Sequence, residues 1–124
     1  MGLDMFIYAN KEDRTKELVY FHKRPAIHGW MEHLFEEKGR PGWDGEEDPW
    51  HLGIFNGIPL ELTLEDVEKL ERDIKDYKLP YETRGFFFGE DEPNEEDKME
   101  DLKVMAKIKR HLKRGWKIIY NSSW

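Results

Sequence analysis

Asp4 is a carboxylate set among Leu3, Met5, Phe6 and Ile7. Burying it without a partner would cost far more than a short apolar strand can offset. Lys23 and His28 are the nearest candidate partners, provided that the first two strands form a hairpin and a helix follows. His28 and Trp30 lie about 200° apart around such a helix, at 3.6 residues per turn, so one faces the core while the other faces a cleft. The C-terminal Ser122, Ser123 and Trp124 join the group if the last strand pairs with the first. Asp4, Lys23, His28, Trp30, Ser122, Ser123 and Trp124 are therefore the candidate ligand-binding set. Two kinds of chemistry suit it. In one, a cation meets a phosphate and indole faces meet a base. In the other, the group is an internal polar network that fixes the hairpin against the helix.

Other site chemistries lack their residues. His28, Glu32 and His33 share a helix, but side chains five apart diverge by about 140°, whereas a zinc-protease helix needs two histidines four apart. No metal site is expected. Serine hydrolysis needs a strained elbow such as G-x-S-x-G, and Ser122-Ser123 instead follow a strand, so no catalytic residue is assigned. Neither G-x-x-x-x-G-K nor G-x-G-x-x-G occurs, which removes the usual means of cradling a nucleotide phosphate for transfer. With no cysteine, disulfides and thiolate chemistry are excluded. No cofactor is implied.

The elements that must position these groups follow from periodicity. Leu3–Ala9 and Glu17–His22 are rich in strand formers, with a polar loop over Asn10–Lys16 between them. Pro25 suits a first helical position and Gly39 a C-terminal cap. Ile27, Trp30, Met31, Leu34 and Phe35 between them recur at helical spacing. Residues 39–57 hold five of the ten glycines, two prolines and two tryptophans, the composition of a long aromatic loop. Thr63 caps a second helix with Leu62 and Val67 as a hydrophobic staple, and Leu64, Val67, Leu70, Ile74 and Tyr77 form its inner face up to Leu79-Pro80. Gly85–Gly89 encloses three phenylalanines, as a buried strand or a tight loop. Asn94 caps a third helix with Met99, Leu102, Met105, Ile108 and Leu112 inward, Gly115 ends it, and Trp116–Tyr120 is a last strand. The expected fold is α+β, one domain over 1–124, with an N-terminal β-hairpin in a mainly antiparallel sheet covered by about three helices.

The net charge of −7 argues against tight binding of duplex nucleic acid, which needs a positive surface. The charge is unevenly placed. Glu90–Asp101 contains eight acidic residues and one lysine, and Lys103–Lys117 contains seven basic residues and no acidic one. This contrast reads either as one helix with charges placed as its dipole favours or as an acidic lobe beside a basic patch. No apolar run approaches the roughly 20 residues of a membrane span, and the N-terminal stretch lacks the pattern of a signal peptide. The expected location is the cytoplasm.

Met1-Gly2-Leu3-Asp4-Met5, the segment from Tyr20 to Trp30 (YFHKRPAIHGW), Gly85-Phe86-Phe87-Phe88-Gly89, Asp101-Leu102-Lys103 and Ser122-Ser123-Trp124 together resemble a family of small phage and prophage proteins. The resemblance spans the chain in order. Family members more often carry Trp-Arg-Lys followed by Asn, where this sequence has Phe21, His22, Lys23 and Pro25, so its binding would differ wherever those residues touch a ligand. The resemblance implies a phage accessory protein in the host cell cytoplasm. The expected role is a non-catalytic binding module that sequesters a nucleotide-type host signal or blocks a host defence protein. The alternatives are a small enzyme acting on nucleotides and a protein-interaction module without a small-molecule site. A homo-oligomer is compatible with the sequence.

Overall fold

A computed structural model describes residues 3–22, 24–43, 45, 55–81 and 93–124. Two strands, β1 (Asp4–Lys11) and β2 (Arg14–His22), form the N-terminal hairpin. They run through most of the stretch expected as loop and leave Glu12 and Asp13 to turn the chain, with Glu12 in the left-handed region at φ 57°. A bulge between Ile7 and Tyr8 takes up one extra β2 residue, which lets Leu18 stay buried. Helix α1 (Pro25–Glu37) follows, then strand β3 (Leu60–Leu62), helices α2 (Leu64–Lys75) and α3 (Glu95–Lys113), and strand β4 (Lys117–Ser123). The sheet order is β2-β1-β4-β3 with every pairing antiparallel. The architecture is α+β, and the last strand pairs with the first.

Each helix ends in the same way. In α1 the amides of Gly39 and Arg40 bond the carbonyls of Glu36 and Phe35, with Gly39 at φ 81°. This is the double bond of a Schellman cap. In α3 Gly115 plays the same part, bonding Leu112 while Trp116 bonds His111. In α2 the left-handed position falls on Tyr77, at φ 54°. Tyr77 is therefore past the helix and exposed, not part of its inner face as its spacing suggested. The N-termini follow the sequence closely. Thr63 and Asp66 form a reciprocal capping box, and Asn94 accepts from the Asp97 amide.

One face of the sheet is sealed. Met5, Ile7, Ala9, Leu60, Leu62, Ile118, Tyr120 and Ser122 are essentially inaccessible, and Ile27, Val67, Leu70, Met105 and Ile108 from the helices are equally buried. Trp30 and Leu34 are buried too. Leu102 is half-buried, and Met99, expected inward, is exposed because α3 turns Asp101, Met105 and Ile108 to the core instead. The opposite face carries Phe6, Tyr8 and Tyr20 in a ring ladder, half-buried or exposed. Strand β3 was not anticipated, since three residues are too few to display a period. The expected Gly85–Gly89 segment lies outside the described residues.

Candidate functional site

β4 decides which candidate residues meet. Side chains alternate along a strand, so Tyr120 and Ser122 point to the helices while Asn121 and Ser123 point away. β1 alternates in step. Asp4 lies opposite Ser123 in the register and on the outer face, and Met5 lies opposite Ser122 on the inner one. The seven candidates thus divide. His28 and Trp124 meet on the inner face, to which Ser122 also points, Asp4 and Ser123 share the outer face, and Trp30 lies elsewhere. Lys23 is outside the described residues.

His28 is the centre of the inner group. It sits one turn into α1, where its amide closes the first helical bond on Arg24, and its side chain is fully buried. Nδ1 is 2.8 Å from the Tyr120 hydroxyl and Nε2 is 3.8 Å from Glu32 Oε2. A neutral ring with its proton on Nε2 fits both neighbours: Nδ1 accepts from the phenol and the N–H faces the carboxylate. Burial pulls the His28 pKa down to about 4, keeps the Tyr120 phenol from ionising, and raises the Glu32 carboxyl. At neutral pH the imidazole is uncharged.

Aromatic rings wall this centre. The Trp124 indole meets His28 edge-on at 4.7 Å, Phe55 stacks at 5.5 Å, and Phe35 stacks on Phe55 at 4.6 Å. Trp124 is fastened from outside β4. Its amide donates to Asn56 Oδ1, and Asn56 Nδ2 donates back to its carbonyl, while the Gly57 amide bonds Ser122 O. The Ser122 hydroxyl is fully buried and close enough to Tyr120 to act against the burial that opposes the phenol's ionisation. No hydrogen bond of good geometry satisfies it among the described residues.

The outer pair is a different environment. Asp4 accepts a 2.6 Å hydrogen bond from the Tyr20 hydroxyl, whose ionisation is suppressed by that bond first and by desolvation second. Asp4 therefore needs neither His28 nor a position inside the core. Trp30 faces α2, where its indole N–H donates to Asp73 Oδ2 at 2.8 Å. It lines a separate concavity of about 230 Å³ with His33, Leu34, Lys69, Asp73 and Lys78. The 200° separation from His28 is realised, but both side chains are buried.

Two features escaped the sequence reading. Arg24 and Asp101 form a bidentate pair, with Nη1–Oδ1 at 2.7 Å and Nη2–Oδ2 at 2.6 Å, and Asp101 is almost inaccessible. Asp101 stood in an acidic run that looked solvated, and nothing local marked it as buried. The second feature is at the opposite end of β4, where Lys11, Arg14 and Lys16 gather over the Trp116 ring. Its cations come from both strands of the hairpin, so no single segment displays it.

Among the described residues, no group of three or more His, Asp or Glu side chains could hold a metal ion, and no helix is long and apolar enough to cross a membrane. Fold and site together define an α+β protein with a neutral, aromatic-walled polar centre. Comparison with protein-family models, curated proteins and solved structures finds no match to the chain.

Proposed function

We propose that this is a phage accessory protein that acts by binding, and that it sequesters a nucleotide-type host signal at the end of the sheet where β4 meets α1. The observation that carries this reading is the buried Ser122 hydroxyl, without a hydrogen bond of good geometry among the described residues, on the same strand face as Tyr120, whose hydroxyl meets a neutral His28 between the rings of Trp124 and Phe55. Native interiors pair nearly all such groups, so an unpaired one points to a bound water or ligand atom. A neutral donor and acceptor set between rings suits the edge and face of a nucleobase rather than its phosphate. A phosphate on such a ligand would need a cation, and Lys23, next to Arg24 in the chain, is the candidate that the sequence offers. Arg24 itself is engaged with Asp101. A histidine with its pKa near 4 is a poor proton donor at neutral pH, which favours retention of the ligand over its turnover. The phage assignment rests on the sequence resemblance.

Native mass spectrometry of the protein purified from infected host cells tests this directly. A retained species of a few hundred daltons, released on denaturation and absent from Ser122→Val, is the expected result. Protein that emerges at its bare mass after gentle purification would overturn sequestration. Blocking of a host defence protein is the second reading, favoured by the Phe6–Tyr8–Tyr20 ladder on the outer sheet face. A co-purifying protein lost on Tyr20→Ser would select it.

A further inference from the structure

The end of the sheet farthest from His28 holds a concentration of positive charge that the chain's acidic composition does not suggest. Lys16 Nζ lies 4.6 Å, Arg14 Cζ 5.2 Å and Lys11 Nζ 6.0 Å from the Trp116 ring centre. Arg14 and Lys16 are exposed, and Trp116 is half-buried. The His111 ring meets the same indole edge-on at 5.8 Å, and Lys107, one turn before it, reaches across to Leu18 O of β2. The helix dipole accounts for cations near the end of α3, and Lys11 does donate to the Arg114 carbonyl there. It does not account for Arg14 and Lys16, which belong to the hairpin. No ion pair among the described residues involves Lys11, Arg14, Lys16 or Lys107, although Glu12, Asp13 and Glu17 are close in sequence. One indole offsets part of the repulsion between three cations, because each cation–π contact at an exposed site is weak. An anion would relieve the rest.

We infer that this patch binds single-stranded nucleic acid, with phosphates on Lys11, Arg14, Lys16 and Lys107 and a base stacked on Trp116. The cations come from three elements and form a surface rather than a pocket, which suits a polymer better than a free nucleotide. Exposed lysine and arginine side chains can swing from the ring to phosphates, which bares the indole face for a base. Stacking requires an unpaired base, and a net charge of −7 opposes the denser charge of a duplex. The proposal concerns a surface separate from the His28 site and stands or falls without it. Fluorescence anisotropy with a twelve-nucleotide oligothymidine at 50 mM salt is the test. The expected result is saturable binding that weakens on the order of fiftyfold at 200 mM salt, as about four phosphate contacts to a single strand require. The exposed double change Arg14→Glu/Lys16→Glu should lower affinity at least tenfold with an unchanged circular dichroism spectrum. Absence of binding at 50 mM salt, or indifference to the double change, would overturn the inference. Equal binding of a twelve-base-pair duplex would overturn it as well. So would equally effective competition by inorganic polyphosphate, which has no base to stack, or by polyglutamate.

Discussion

Single residues inside this protein carry more of its stability than their polarity suggests. Asp101 accepts both arms of the Arg24 guanidinium while almost inaccessible. Removing one partner of such a pair strands the other charge in a poor solvent, whereas removing both is far less harmful. Asp101→Ala should therefore cost about 3 kcal/mol in urea unfolding, and the double change Asp101→Leu/Arg24→Met should recover most of it. A double change as destabilised as the single one would show that the pair is not the cause. His28 gives a pH dependence instead. Its folded pKa, about 4, is depressed below the ordinary 6.5, so between these values the unfolded chain binds the proton and the folded one does not. Stability is then full above pH 6.5 and falls on acidification, by about 3 kcal/mol once pH 4 is reached. Glu32, beside Nε2, is shifted up by burial and acts in the opposite sense, while the Tyr120 phenol stays neutral throughout. Comparing wild type with His28→Gln isolates the histidine. The difference between their stabilities should shrink steadily from pH 7 to pH 4, and a constant difference would contradict the burial-driven shift.

Elements were legible where local chemistry decides them. The caps at Thr63 and Asn94 are written in four consecutive residues each and both occur as read, and at Thr63 the structure adds the reciprocal bond from Asp66. Thr63→Ala should remove the acceptor for the Asp66 amide and cost about 1 kcal/mol, or about 4 °C in Tm. Asp66 also bonds the Lys38 ammonium, so some order should survive in the loop before α2. A Tm unchanged by Thr63→Ala would mean that tertiary packing alone fixes this helix start. Where distant contacts decide, the sequence was mute or misleading. Tyr77 fits the periodicity of α2, yet the helix has ended before it, with a tyrosine in the left-handed position that glycine usually takes. Met99 fits the periodicity of α3, but Asp101, accepting from the Arg24 guanidinium, turns inward with Met105 and Ile108 and leaves Met99 outside. The candidate site shows the same division. That β4 lies beside β1 could be guessed, and it brought the C-terminal residues to His28. The alternation along both strands then sent Asp4 and Ser123 to the other face, where Tyr20 serves as the carboxylate's partner.

At the scale of the molecule, β4 joins everything. It pairs with β1 on one side and β3 on the other, so neither the hairpin nor the β3–α2 unit has a complete sheet without it. Asp4 pairs with Ser123 across almost the whole chain, and contacts so distant in sequence delay the sheet until most of the chain is present. The strand also separates the two proposed binding regions. Trp116 precedes its first residue and Ser122 is next to its last, which puts them roughly 20 Å apart at about 3.3 Å per residue. Surface changes at one end, such as Lys16→Glu, should leave the other untouched. Tyr120 is the point where this independence ends. It is fully buried in the middle of β4, stacks near Phe55, and bonds His28. Tyr120→Ala should cost about 4 kcal/mol from the cavity it leaves, a large part of the total stability of a domain this size. Because the sheet cannot lose β4 piecemeal, that loss should appear as one earlier transition, with circular dichroism and tryptophan fluorescence coinciding. Tyr120→Phe keeps the ring and drops the hydroxyl, so it should retain most stability and Trp116-end binding while weakening only the His28 centre. Two resolved transitions in Tyr120→Ala, one for the hairpin and one for the remainder, would show that β4 does not unite the fold.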